Sequence, residues 1–463
     1  MAFDDQFRPE TSALYTDLYQ LTMLQAYWRE DMNEDAVFDL FVRRLNDRNY
    51  LLACGLEQAL EYLEELSFSS EAIAYLDENE LFSDAFLEWL ADFEFTGDVY
   101  AVSEGTPVFP DEPIIEVVAP IGEAQLAETF LLNQVTFQTT VASKASRVVH
   151  AAHADGKDRI VADFGMRRMH GTDAAMKGAR AFHIAGVDAT SNVAAGQAYG
   201  LPVTGTMAHS YIEAHDSEMV SFRAFSELYP ETILLVDTYD TLDGVEKVID
   251  LAREKGDAFG VRGIRLDSGD LADLAKKARR RLDAAGLTDV LIFASSSLDE
   301  DRILDLLDQD APIDGFGVGT RMGTSADQPA LDSAYKLCGY AGQPRMKLSK
   351  EKSNLPGRKQ LVRQYDEGTA VRDVIATEEE NVPGAPLLER VMAGGERTDA
   401  GAARPVDAHR EHAAARVEEL PDHLRALDTD GPDYEVALSE AMEERLEQTR
   451  QAIRRAMAMG ASE

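Results

Sequence analysis

The apolar positions change period along this chain, and each change marks an element. Leu14, Leu18, Leu21, Met23 and Tyr27 recur near the helical repeat and predict a helix over 12–30, with Thr16 and Asp17 ahead of the run. Helical patterns continue over 54–66 and 70–92. Between 96 and 118 short β-prone runs, broken by Gly105, Pro107, Pro110 and Pro113, predict a small sheet with tight turns. A long helical region follows over 121–153.

From residue 159 the pattern alternates. Apolar β-like runs at 159–163, 187–190, 202–205, 232–236, 261–266, 290–294 and 313–318 are separated by helical stretches at 172–184, 192–199, 217–228, 244–255, 270–286 and 299–308. Strand–helix alternation repeated this often predicts a parallel sheet, and its compactness favours a barrel with some short connections. After 335 the alternation stops. Short strand-like pieces return over 336–375, carrying Lys347, Lys350, Lys352, Arg358 and Lys359. Residues 376–432 show weak periodicity, and a last helix is expected over 434–458 with Ala437, Leu438, Met442, Leu446 and Ile453 on one face. The expected organisation is an N-terminal α+β domain over 1–140 and an α/β barrel over 141–335. A strand-rich segment over 336–375 should pack with the N-terminal domain, and an acidic, mostly helical region covers 376–463. The fold class is α/β, an irregular, incomplete barrel joined to a smaller α+β domain built from N-terminal and post-barrel segments.

Charge narrows the partners. The 463 residues carry 84 acidic against 45 basic side chains, a formal net charge of -39, and only 12 of the basic residues are Lys. Such a surface repels nucleic acid and anionic membranes. It fits a salt-rich, halophilic interior in which counterions screen self-repulsion. Cys54 and Cys338 stand far apart in apolar surroundings and predict core positions, not a disulfide or thiolate metal site. With no signal-like apolar run or membrane-length segment, the expectation is a soluble, cytoplasmic protein.

In a parallel barrel the reactive groups sit after the strands. Every predicted strand here is followed by binding or reacting side chains. They are Asp163 to Gly171, Thr190-Ser191-Asn192, Thr206 to Ser210, Asp237 to Asp240, Asp267 to Asp270, Ser295-Ser296-Ser297 and Gly319-Thr320-Arg321. The serine run, read as opening a helix, and the small residues Gly315 to Thr320 offer backbone N–H groups to a phosphate. There is no G-x-G-x-x-G and no G-x-x-x-x-G-K-[ST]. Arg167 and Arg168 are paired cations suited to phosphate or carboxylate. Asp267 and Asp270 flank a turn that suits Mg²⁺ or ribose hydroxyls, although Asp270 also reads as a helix N-cap. His209 lacks companions at metal spacing, so it suits a base or phosphate acceptor better than zinc.

Together these segments resemble a known family. Thr16-Asp17-Leu18-Tyr19-Gln20-Leu21-Thr22-Met23, Phe164-Gly165-Met166-Arg167-Arg168, Thr190-Ser191-Asn192-Val193, Gly205 to Ser210, Leu266 to Leu271 and Gly317-Val318-Gly319-Thr320 are similar, in order, to motifs of the nicotinate phosphoribosyltransferases. The resemblance implies a type II phosphoribosyltransferase that makes nicotinate mononucleotide and diphosphate from nicotinate and phosphoribosyl diphosphate. It also implies Mg²⁺, and ATP hydrolysis coupled through a phosphohistidine, here His209. Tyr19, Arg167, Thr206 and Arg265 are then expected at nicotinate. Arg168, Ser295, Ser296, Gly317, Gly319 and Thr320 are expected at the phosphoribosyl group, and His209, Asp267 and Asp270 at the chemistry. Tyr19 precedes the barrel by far, which implies a homodimer whose N-terminal part closes the partner's site. The resemblance runs from residue 16 to about 360, and no chemistry is assigned beyond 376. The rival readings are a nicotinamide or quinolinate enzyme and a non-catalytic metabolite-binding barrel.

Overall fold

The computed structural model describes residues 13–348 and 354–460, so Lys350 and Lys352 lie outside the described residues. The chain forms two compact units, residues 141–329 and residues 1–140 with 330–463.

The continuous unit carries a curled parallel sheet, an open half-barrel. Its strands are β1 (Ile160–Asp163), β2 (Ala189–Thr190), β3 (Ile233–Leu235), β4 (Gly263–Leu266), β5 (Leu291–Ser295) and β6 (Gly315–Val318). They lie in the order β2-β1-β6-β5-β4-β3. Val161, Leu234, Ile264, Ile292, Phe316 and Val318 are all buried, as expected for strands covered on both faces. The 202–205 run does not form a strand. Pro202 has no N–H to give, and only Val203 makes an isolated parallel bridge to Thr190. The intervening helices fall close to their expected spans. Leu271–Ala284 buries Leu271, Ala275, Ala278 and Leu282 on one stripe, and Asp270 caps it by accepting from the Asp273 N–H at 3.2 Å.

Register brings the strand ends level. Asp163 lies opposite Thr190 and Val318, Gly317 opposite Ser295, and Ala294 opposite Leu266. Neighbouring strands are about 4.8 Å apart, so the loops leaving them crowd one edge.

The discontinuous unit holds a seven-stranded antiparallel sheet. Asp35–Val42 lies between Ser333–Tyr340 and Ile115–Pro120, which continues to Asp98–Ala101 and Glu389–Ala393. Asp35–Val42 is a strand that the hydrophobic pattern does not announce. All but its first residue are buried, so no polar alternation betrays it. A second sheet pairs Lys359–Asp366 with Thr369–Thr377, and Glu435–Leu438 runs parallel to the latter. The last helix therefore begins later than its pattern suggested, at Glu440. Ala437 and Leu438 belong to the strand, opposite Val374 and Ile375. The 70–92 helix is two, Ser70–Glu78 and Asp84–Leu90, parted where Glu80 adopts a positive φ.

Two interior cations of this unit are held in ion pairs. Lys359 contacts Asp39 at 2.8 Å beside Glu116, and Arg363 makes a bidentate pair with Asp373 at 2.9 and 2.6 Å. Tyr434 donates to the same Asp373 at 2.9 Å and stacks on Phe109. Both cysteines are buried, and neither forms a disulfide among the described residues.

Candidate active site

At the C-terminal edge of the half-barrel a cavity of about 640 Å³ is lined by loops from β1, β2, β4, β5 and β6 and by the 205–209 segment. It gathers Arg167, Arg168, Thr206, His209, Arg265, Asp267, Ser295, Ser296, Gly317, Gly319 and Thr320. Phe164, Ser191 and Ser297 join them, and Asp267 is the one carboxylate among the lining residues.

Arg265 defines one wall. Its side chain emerges from β4, mostly buried, and donates to Thr206 Oγ1 at 2.7 Å and to the Met207 carbonyl at 3.1 Å. Both acceptors are neutral, and the buried Nε has no hydrogen-bond partner. Burial, with Arg167 acting in the same sense, lowers its pKa against the opposing pull of Asp267 and Asp237. The guanidinium carbon lies 5.8 Å from the centre of the Phe164 ring. Phe164 in turn explains a glycine: a Cβ on Gly317 would meet that ring at 2.4 Å.

The opposite features come from β3, β4 and β5. Ser295 Oγ donates to Asp267 Oδ1 at 2.5 Å. Asp237 is buried at the end of β3, and its Oδ2 accepts from the Asp267 N–H at 2.9 Å and the Ser268 hydroxyl at 2.7 Å. His209 opens the short helix His209–Glu213; its Nδ1 lies 3.1 Å from Thr238 Oγ1 and its Nε2 3.8 Å from Asp267 Oδ2. A buried carboxylate, Asp163, organises the β1 side, accepting from the Gly165 N–H and the Thr190 hydroxyl, each at 2.7 Å. Burial raises its pKa, and those two donors oppose the shift.

The serine run departs from expectation. The helix starts at Glu300, capped by Asp299, so Ser295 ends β5 and Ser296 and Ser297 form a turn ahead of the helix. Both turn residues have positive φ, 88° and 50°. Asp299 also pairs with Arg321, joining this turn to the one after β6. Helix Glu300–Asp308 is held from below by Lys144 and Arg147, which contact Glu300 at 2.5 and 2.9 Å.

Two expected residues have other surroundings. Asp270 is exposed and serves as the helix cap described above, outside the cavity lining. Tyr19 belongs to the discontinuous unit, where it is half exposed and donates to Glu128 at 3.3 Å; burial first, then Glu128, pushes its pKa up to about 12. All four of Phe164, Ser191, Asp237 and Thr238 were visible in sequence as strand-end residues without an individual role; the first two line the cavity, and the last two contact residues that do. Among the described residues no group of three His, Cys, Asp or Glu could hold a metal ion, and no helix is long and apolar enough to cross a membrane.

The profile of the nicotinate phosphoribosyltransferase N-terminal domain matches residues 14–136, and that of the nicotinate phosphoribosyltransferase family matches 160–365. A nicotinate phosphoribosyltransferase of Mycobacterium tuberculosis is 50% identical over 446 residues, covering 96% of this chain and 95% of its own. The chain belongs to the nicotinate phosphoribosyltransferase family. The Bacillus subtilis nicotinate phosphoribosyltransferase is 45% identical over 366 residues, covering 77% of this chain and 74% of that one. Human nicotinic acid phosphoribosyltransferase superposes with a TM-score of 0.82 at 27% identity, over 94% of this chain and 99% of that one. A nicotinate-nucleotide pyrophosphorylase from Pyrococcus furiosus shares the fold, with a TM-score of 0.73 at 23% identity, covering 90% of this chain and 99% of its own.

Proposed function

We propose that this member of the family transfers the phosphoribosyl group of phosphoribosyl diphosphate to nicotinate, releasing diphosphate and coupling the step to ATP through a phosphohistidine at His209. The observation that carries the choice of pyridine is Arg265. It is a buried cation beside an aromatic face, held by neutral oxygens and with an unfilled Nε, and it is matched by a planar aromatic carboxylate. A neutral amide would leave its charge uncompensated. A dianion would draw on Arg167 as well.

The remaining lining divides by chemistry. Arg168, the serine turn and the backbone of Gly317 to Thr320 are suited to the phosphoribosyl phosphate. Departure of diphosphate leaves positive charge on the ribosyl carbon, which Asp267 would stabilise from its fixed position against Ser295. Mg²⁺ enters on the diphosphate of the substrate, and Asp267 is the lining carboxylate that would meet it. A second copy of the chain, bringing Tyr19 to this cavity, completes the reading, and the acidic surface suits it to a salt-rich cytoplasm.

The test is diphosphate release in molar KCl with Mg²⁺ and phosphoribosyl diphosphate, comparing nicotinate, nicotinamide and quinolinate, each with and without ATP. Release with nicotinate that ATP stimulates, and loss of that stimulation in His209→Ala, is the expected result. Release with another pyridine alone overturns the assignment of Arg265.

A further inference from the structure

We propose that Thr238 is a positioning residue for His209: its hydroxyl accepts a hydrogen bond from Nδ1–H and so leaves Nε2 as the nitrogen that accepts the phosphoryl group. The inference rests on the phosphohistidine reading above and adds to it the nitrogen that reacts and the residue that selects it.

A neutral imidazole has one protonated and one basic nitrogen, and a hydroxyl that accepts from the first holds the second in its basic form. In His209, Nδ1 is within hydrogen-bond distance of Thr238 Oγ1, at 3.1 Å. Nε2 has no such partner among the described residues. Its nearest carboxylate oxygen, Asp267 Oδ2, is 3.8 Å away, beyond hydrogen-bond range. Asp267 is itself held at 2.5 Å by Ser295 on its other oxygen. Nε2 is thus the ring nitrogen left free beside a cavity-lining carboxylate.

Thr238 is well placed to hold a ring still. It follows β3 directly after Asp237, whose carboxylate is tied to the Asp267 N–H and the Ser268 hydroxyl across the neighbouring loop. Thr238 is half-buried, β-branched and so stiff about χ1. It does not line the cavity itself, so its hydroxyl acts through His209.

The step balances simply. The Nε2 lone pair attacks the γ-phosphorus of ATP, and the bond from that phosphorus to the bridging oxygen breaks. The oxygen leaves with the electron pair in ADP. The proton stays on Nδ1, donated to Thr238, and the ring's positive charge faces the transferred phosphoryl dianion. With the proton on Nε2 instead, no lone pair would point into the cavity, and transfer would require the ring to change tautomer first.

The experiment labels intact wild-type protein, Thr238→Val and Thr238→Ser with ATP carrying γ-³²P. Alkaline digestion and chromatography then separate the two phosphohistidine isomers. Wild type should carry the label on Nε2, and Thr238→Ser, which restores the hydroxyl, should match it. Thr238→Val, nearly the same shape, should label about tenfold more slowly, the worth of one orienting hydrogen bond, and place part of the label on Nδ1. A purely structural role for Thr238 would slow labelling without changing the isomer. Label on Nδ1 in the wild type, or unchanged rate and isomer in Thr238→Val, overturns the inference while sparing the phosphohistidine. Wild type that takes no label on His209 overturns the phosphohistidine and this inference with it.

Discussion

Arg265 and Arg363 are both interior arginines beside aromatic rings, yet they do opposite things. Arg363 sits over Phe109 and Tyr434 and meets Asp373 through two parallel hydrogen bonds, so its charge is neutralised within the protein. Its pKa rises because that carboxylate, helped by Glu112, outweighs the cost of burial. Arg265 sits by Phe164 and meets a hydroxyl and a carbonyl, so burial prevails and its pKa falls. The lesson is about partners, not residue type. A buried cation given a carboxylate is neutralised within the fold, and one given neutral oxygens has, on the proposed reading, its charge left for a ligand carboxylate.

The largest effect should come from breaking the satisfied pair. Arg363→Ala leaves Asp373 buried without its counter-cation next to Glu112, itself pushed well above the usual carboxylate range by burial and by Asp373. Urea unfolding should report a loss of about 3–5 kcal/mol. Replacing both partners, as Arg363→Met with Asp373→Leu, should recover most of that loss, because the desolvation cost disappears with the pair. Arg265→Gln should do the reverse. The melting temperature should hold, while kcat/KM for nicotinate drops about a hundredfold, in the range for removing one member of a buried charge pair. If Arg265→Gln instead unfolds the protein with little kinetic effect, the contrast between the two arginines fails.

Gly317→Ala probes the aromatic wall. The added methyl collides with the Phe164 ring, and overpacking of this kind costs about 1–3 kcal/mol. Because the ring must move, KM for nicotinate should rise more than KM for phosphoribosyl diphosphate. Steady-state kinetics with each substrate varied in turn separate the two.

The smallest effect isolates burial from partner chemistry. His412 lies in helix Val406–Glu418, with Nε2 3.1 Å from Thr106 Oγ1. Burial first, then Arg416, His409 and Arg404, lowers its pKa from 6.5 to about 4. The unfolded chain therefore binds the proton more readily than the folded one. The stability that His412 contributes is present above pH 6.5 and is lost as pH falls toward 4. In His412→Gln the urea midpoint should fall less steeply across that window than in the wild type.

Much of this site was legible because strand ends in a parallel sheet are forced together. The period of two residues per pleat followed by the helical repeat marks where each loop begins, and register does the rest. Eleven of the thirteen expected site residues line one cavity. The exceptions are instructive. Asp270 showed both readings in sequence, and only the geometry of the first helical turn places it as a cap. The serine run looked like a helix start because serine favours N-caps, but Asp299 occupies that position. Phe164 and Gly317 are a matched pair separated by more than 150 residues, and no local pattern couples them. Asp35–Val42 is buried on both faces, and Ala437 and Leu438 fit a helix or a strand until their partners in Thr369–Thr377 are known.

The interleaved sheet has a consequence for synthesis. Asp35–Val42 takes one neighbour from Ile115–Pro120, early in the chain, and the other from Ser333–Tyr340, more than two hundred residues later. At ordinary ribosomal rates that gap lasts about 10–40 s, during which an apolar strand edge waits unpaired. The half-barrel, a continuous stretch, can close within the same interval. The nascent chain thus completes its catalytic half first and carries its N-terminal half as an unfinished surface, the stage at which a chaperone would have something to hold.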